Sequence, residues 1–421
     1  MAGKRTGCFF AQGWAISPLV LFLVIGILFL VLFPMVLLDV ERDPEYERLL
    51  MVYGIVHLAG LILGGSGRPL KEAIPAGKIT APPFFFRACW IFWGLMALYK
   101  TAMLFLGGIA RYQHEESEAL FQLPYAQMIL DSLAFRLAPF IAWVASGGRI
   151  GPLLILAVLV DILFGVATLT KEFALYVIVA AAFGFCYWRR SPSMRIVATG
   201  AVATVLVFLI GPALVWTRFE TVGFSSPLEV VSGIAENLDK TLADDVQRGV
   251  TFLAAQERFD LYSAGQLAFR EEEFERTAQR ARDALPLFWL PRSEEKEITF
   301  RSGNYLGASV GLAEEGDISG VAFPNMVVLQ AMFGFPVGVA LCGGLGFLFG
   351  AAFHRIRQTR FVEDWMGYVL LYLDVALQLY IGLPFPAIPY KVAYDLAAWC
   401  LAILMLRALM RFSSRFAVPV V

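Results

Sequence analysis

The chain has 421 residues, 58% of them hydrophobic and only 16% charged, with a net charge of −1 and a mean hydropathy of +0.67. That balance lies outside the range of soluble globular domains. The apolar residues also fall into runs of about 20, the length that crosses a bilayer, so the sequence predicts an all-α polytopic membrane protein.

The first run, Trp14 to Leu38, follows a short basic head with Lys4 and Arg5. It is too long for a signal-peptide core and lacks a small-x-small cleavage site, which predicts a retained span with its N-terminus inside. Nine further spans follow, at roughly 49–65, 83–107, 126–147, 150–169, 172–188, 195–216, 333–353, 365–385 and 391–408. Basic residues alternate between the two sides. One side carries Arg68, Lys71 and Lys78, then Arg149, then Arg189, Arg190 and Arg195, then Arg355, Arg357 and Arg360, and finally Arg407, Arg411 and Arg415. By the positive-inside rule that side is the cytoplasm, and both termini lie there. The opposite side carries DVERDPEYER (39–48), RYQHEESEAL (111–120), the tight TLTKE turn (168–172), the long loop and LPFPAIPY (383–390).

Three regions result: a bundle of seven spans over 1–216, a loop over 217–320, and a bundle of three spans over 321–421. The loop holds 19 acidic and 11 basic residues, nearly half of the charge of the chain in a quarter of its length. Its middle reads as two helical stretches. Phe252, Leu253, Phe259, Leu261 and Leu267 can form an apolar stripe, whereas EEEFERTAQRAR is charged nearly all round. For most of those charges the simpler expectation is a solvated helix laced by i,i+4 pairs such as Glu272–Arg276. Pro286 and Pro291 then break the helix and start an irregular, glycine-containing segment that runs to the membrane re-entry at SGVAFPNMVVLQAMFGFPVG.

The cysteines, Cys8, Cys89, Cys186, Cys342 and Cys400, show no CxxC or Cys/His spacing, and none falls in the loop. No disulfide framework or zinc site is expected, and three histidines exclude a histidine-rich metal site. His57 lies among apolar neighbours and reads as a satisfied core histidine. His114, in an acidic outer loop, has no visible partner.

Ionisable residues within spans are costly and mark functional positions. They are Arg87, Lys100, Asp131, Arg136, Asp161, Asp374 and Asp395, with Lys171 and Glu172 in the outer turn. Mutual pairing that holds the bundle together is the alternative for the aspartates. Basic groups near the outer face suit a lipid phosphate or diphosphate, because arginine in particular matches phosphate oxygens bidentately.

This organisation resembles the bacterial O-antigen and exopolysaccharide repeat-unit polymerases of the Wzy type, within the O-antigen polymerase/ligase superfamily. TLTKEFAL (168–175) stands in the place of the Gly-Ser-Arg-Gly-like turn of the family, with Lys171 where an arginine is usual. ERFDLYSAGQLAF (257–269) is similar to its Arg-x-Asp-x-Leu stretch. LPLFWLPRSEEKE (285–297) resembles, in scrambled order, its Pro-Arg-x-x-Trp-Pro-x-Lys-Pro element, and AMFGFPVGVALCGGLGFLFG (331–350) its Phe-Gly-x-x-Gly helix. The resemblance covers about residues 160–355.

The resemblance implies about ten transmembrane helices with a long, partly helical periplasmic loop in a GT-C-like architecture, set in the bacterial inner membrane. It implies an enzyme that joins repeat units carried on undecaprenyl diphosphate, with lipid-linked oligosaccharides as donor and acceptor. A chain-length regulator and a flippase of the same pathway are candidate partners, beside membrane lipids; nucleic acid is not. Cations should stabilise the leaving diphosphate, and Lys171, Arg218, Arg292 and Arg301 are the candidates, with Arg136 deeper in the membrane. Arg258 is a further cation, placed with the carboxylates Asp260 and Glu257 as the catalytic group; Asp317 is another possible base. Trp289 and Tyr305 offer flat faces on which sugars stack, unless their stretch is a lid lying on the membrane surface. No cofactor or metal is required. A ligase-like glycan transferase shares this architecture. A transporter or flippase of lipid-linked or anionic solutes is the reading from another class, though no repeat relates the two halves.

Overall fold

The computed structural model describes residues 14–27, 42–66, 83–106, 133–146, 151–167, 181–186, 188, 192–202, 217, 232–238, 261–287, 298–299, 302–312, 322–358, 368–369, 372, 385–389, 392–393, 395–401 and 404–405. Among them every regular element is helical, with no strand. In chain order the helices are α1 (Pro18–Ile27), α2 (Pro44–Gly64), α3 (Pro83–Leu106), α4 (Leu133–Arg136), α5 (Ala138–Ala145) and α6 (Pro152–Ala167). They continue with α7 (Leu261–Arg270), α8 (Glu272–Ala284), α9 (Ser302–Ser309) and α10 (Asn325–Gln358).

Two of these, α2 and α10, are long and apolar enough to cross a membrane. Helix α2 starts five residues before the expected span, because Asp43 caps it and Pro44 presets the first helical φ. The Asp43 carboxylate accepts from the backbone N–H groups of Glu45 (3.0 Å) and Tyr46 (3.4 Å). It ends in a Schellman arrangement: Gly65, at φ 103°, donates to Ile62 O, and Ser66 donates to Leu61 O.

Helix α10 is longer than the expected span of 333–353. Gly334, at φ 73° and ψ 173°, breaks it in a conformation that only glycine adopts readily, and Pro336 follows two residues later. The first part, up to residue 333, is about 13 Å long; the second, from residue 335, is about 36 Å, enough to cross a bilayer.

Helices α2 and α10 pack in parallel on a seam of glycines. Along both chains in the same direction, Tyr53 meets Gly338, His57 meets Gly346, Leu61 meets Gly350, and Gly64 meets Gly350 and Ala351. A Cβ on Gly60 or Gly64 would run into backbone atoms of α10. The imidazole of His57 spans this seam, 2.9 Å from Cys342 O through Nδ1, which therefore carries the proton. That is the satisfied core histidine expected from sequence.

The second core joins α3, α4, α5 and α6 with aromatic residues from later in the chain. Phe92 packs edge-on to Phe135 at 5.4 Å, and Trp143 to Trp188 at 4.6 Å, while Trp188 Nε1 donates to Val144 O at 3.0 Å. The expected span at 126–147 is interrupted at Leu137 between α4 and α5, where Pro139 has no N–H to continue the helix. Helix α6 buries Leu154, Ala157, Asp161 and Phe164 on one face and leaves Leu153, Ile155, Leu159 and Leu163 exposed on others. An outer surface this apolar suits lipid rather than water.

Residues 261–287 and 302–312 of the long loop form a helical cap. Tyr262, Ala268, Phe274, Ala278 and Leu306 share one core with Tyr46, Leu49 and Tyr53 of α2 and with Val327, Val328 and Met332 of α10. Two expectations change here. Helix α8 is not solvated all round: Phe274, Ala278 and Ala281 are fully buried, because alanines at helical spacing leave a narrow face that fits against α10. Its other face keeps the expected pair, Glu272–Arg276 at 3.1 Å. The segment 302–309, expected to be irregular, is the helix α9, and Gly303 and Gly307 lie on its buried side.

The seam yields a paired test. Gly64→Leu drives a side chain into the α10 backbone and should cost about 1–3 kcal/mol or more. Gly344→Ala, which meets nothing within 4 Å, should change stability by less than about 1 kcal/mol in either direction. Thermal unfolding of the purified variants in mild detergent measures both.

Candidate functional site

The junction between the cap and the N-terminal ends of α2 and α10 gathers several polar contacts among the described residues. Its centre is Asp43, a buried carboxylate that caps α2 and binds the cap at the same time. Arg270, the last residue of α7, places Nε and Nη2 each 2.9 Å from Asp43 Oδ2. One turn along α2, Glu47 accepts from the Tyr262 hydroxyl at 3.4 Å and lies 3.5 Å from Arg42. On the α10 side, Arg282 Nη1 donates to Met332 O at 3.0 Å, just before the break at Gly334. The Tyr53 hydroxyl donates to Gln330 Oε1 at 2.9 Å.

Burial alone would raise the pKa of Asp43. It is outweighed by the Arg270 hydrogen bond, the two backbone N–H donors and the Arg270 charge, which together hold the carboxyl below its ordinary value. Tyr262 is pushed up, first by burial and further by the neighbouring Glu47 charge, so it stays a neutral donor at pH 7. The junction is therefore a latch of fixed charge states at neutral pH.

Of the candidate catalytic and substrate-binding residues, Tyr305 and Arg136 are described. Tyr305 lies on α9, half-buried, with its ring against Ala281, Ala284 and Ile298, so it contributes to the cap core. Arg136 ends α4 within the second core, half-buried, and its Nε has no hydrogen-bond partner among the described residues. The two belong to separate packing clusters. Arg258, Asp260, Glu257, Lys171, Arg218, Arg292, Arg301 and Trp289 lie outside the described residues, as do Asp131, Asp317 and His114. Leu287 and Ile298 flank the segment that contains Trp289 and Arg292, and Ile298 is buried in the same small core as Tyr305.

Arg136 is within electrostatic reach of Asp161 on α6, and so is Lys100 on α3. Lys100 Nζ stands 6.0 Å over the ring of Phe164, one turn from Asp161 on the same buried face. Among the described residues no group of three or more His, Cys, Asp or Glu side chains is arranged to hold a metal ion. Cys89, Cys186, Cys342 and Cys400 are free thiols.

Sequence reasoning placed 39–48 in an outer loop and passed over the latch. The Asp43–Pro44 pair followed by Glu45 and Glu47 was the available signal, since it is a helix N-terminus signature. Nothing local pointed to Arg270 as its partner, 227 residues away. In comparisons with known proteins, no family model matches the chain, and no curated protein or solved structure matches it either.

Two variants separate the roles of Asp43. Asp43→Ala loses the cap and should cost about 0.5–2 kcal/mol, whereas Arg270→Ala removes only a solvent-facing partner and should cost less than about 1 kcal/mol. Because the Asp43 pKa is depressed by folding, its contribution is complete above the ordinary carboxyl value of 3.8 and is lost as pH falls below it. Protease sensitivity of the cap should thus be flat from pH 7 to about pH 5 and rise only below about pH 4.

Proposed function

We propose that the chain is a polymerase of lipid-linked glycan repeat units in the bacterial inner membrane. In this reading it spans the membrane about ten times, with both termini cytoplasmic and the loop 217–320 periplasmic. The acceptor hydroxyl of one undecaprenyl-diphosphate-linked oligosaccharide attacks the anomeric carbon of another, and the lipid diphosphate departs from the donor.

The observation that carries this reading is the Asp43–Arg270 pair. It joins the first outer loop to the long loop, as expected if both lie on the same side of the membrane. The parallel run of α2 and α10 supports the same orientation, since both enter from the cap side. An ordered cap sharing its core with the ends of two apolar helices suits an enzyme that works at a membrane face better than it suits a linker.

The chemistry divides between charges and surfaces. Arg258, Arg292, Arg301, Arg218 and Lys171, with Arg136, supply positive charge for the departing diphosphate, and fixed cations in a water-poor site stabilise such charge strongly. The base is a carboxylate, for which the loop offers Asp260 and Glu257, and Trp289 and Tyr305 belong to the region that receives the sugars. A chain-length regulator and a flippase would act beside it.

Deleting the gene and profiling surface glycans tests this directly. Long polymer should vanish while single repeat units persist, and wild type should restore it. Arg258→Ala or Arg292→Ala at normal protein level should restore little, with activity lower by on the order of a hundredfold. Long polymer stranded on its lipid carrier would instead identify a ligase, and an unchanged profile would favour transport.

A further inference from the structure

Asp161 is 2% exposed, in the middle of an apolar helix, and its Oδ1 has no hydrogen-bond partner among the described residues. A buried carboxylate kept for structure is normally saturated by its cations, because an uncompensated charge in apolar surroundings is expensive. Here neither cation hydrogen-bonds the carboxylate. Arg136 and Lys100 are within electrostatic reach, yet Arg136 Nε is itself without a hydrogen-bond partner, and Lys100 Nζ is over Phe164. The helix that would carry Arg136 past this point is interrupted at Leu137, and broken helices at membrane depth occur where they are buried in protein or line a cavity.

The open acceptor selects its ligand by elimination. At the open Oδ1 itself a cation would be repelled by Arg136 and Lys100, and an anion by the carboxylate, whereas an anion on the far side of the two cations would not be. A neutral hydroxyl can donate to Asp161 and sit beside both cations. We propose that Asp161 binds the attacking hydroxyl of the acceptor sugar and takes its proton, with Arg136 and Lys100 facing the diphosphate of the donor; this rests on the polymerase reading. In that step the hydroxyl proton passes to the Asp161 carboxylate and the oxygen bonds to the anomeric carbon. The bond from that carbon to the phosphate oxygen breaks, and the lipid diphosphate leaves with the electron pair. Lys100 Nζ stands 6.0 Å over the ring of Phe164, one turn from Asp161 on α6, so the two groups lie near one level. In the proposed topology the C-terminal ends of both helices are the outer ones. Asp161 thereby takes the role for which the loop offered Asp260, Glu257 or Asp317.

The test uses full-length protein in nanodiscs and lipid-linked repeat units extracted from the deletion strain. Asp161→Asn should lower polymer formation by on the order of 10²–10⁴-fold, with affinity for the lipid-linked donor held within about threefold. Asp161→Glu, which keeps the carboxylate but displaces it, should retain donor binding and about a tenth of the turnover. Asp161→Asn at wild-type turnover would overturn the inference and leave the polymerase reading intact. Equal loss of binding and turnover in Asp161→Asn would assign a structural role and overturn it too. If Asp161→Asn does not fold, Asp161→Glu decides, and full turnover there counts against the base. A deletion strain that accumulates no repeat units would remove the polymerase reading, and the inference with it.

Discussion

The glycine seam between α2 and α10 is the contact on which the rest of the structure depends. In a bilayer, apolar side chains gain little by leaving lipid for protein, so two helices associate through close backbone approach and dispersion. Gly60, Gly64, Gly343, Gly346 and Gly350 permit that approach, and backbone atoms of one helix lie where side chains would otherwise stand. Because the helices run parallel, their N-terminal ends arrive at the same face and form one platform. The cap core is built on that platform, from Tyr46, Leu49 and Tyr53 on one side and Val327, Val328 and Met332 on the other.

The seam also explains the break at Gly334. The lower part of α10 must follow α2 closely, while its upper part must turn its buried face to α8 as well. A continuous helix offers one stripe at a fixed angle; the break lets two segments present different faces. Arg282 then donates to Met332 O, satisfying a carbonyl that has lost its place in the helical ladder. The polar contacts of the junction thus finish what packing begins, and their individual energies are small beside that of the apolar core.

Much of this was legible in the sequence, but unevenly. Runs of about 20 apolar residues located α2, α3 and α6 to within a few residues, except where a polar first turn hid the start of α2. The Glu272–Arg276 pair and the satisfied His57 followed from spacing and neighbours. The buried face of α8 did not, because alanine contributes little hydropathy while fitting a tight contact well. Glycine misled once: Gly303 and Gly307 suggested an irregular segment, whereas 302–309 is a helix; the packing role of the α10 glycines had no signal in the sequence. Of the candidate site, the sequence identified the charged, aromatic stretch and the ionisable residues within apolar runs as residue types, but nothing local paired Asp43, whose helix-start signature was visible, with Arg270.

Two aspartates make the remaining distinction physical. Asp43 and Asp161 are both buried, and each has arginine nearby. Asp43 accepts from two backbone N–H groups and two guanidinium nitrogens, so its charge is used up in holding a helix end and a cap together. A carboxylate in that condition has little left to offer a ligand, and its chemistry is set by the fold. Asp161 keeps an open oxygen beside cations that do not close on it. Burial makes that arrangement costly, and a fold that only needed cohesion would relieve the cost by contact or by an apolar side chain of similar size. In the proposed reading, the difference between a saturated and an unsaturated buried charge, rather than the presence of charge in an apolar helix, is what separates the latch from a site for chemistry.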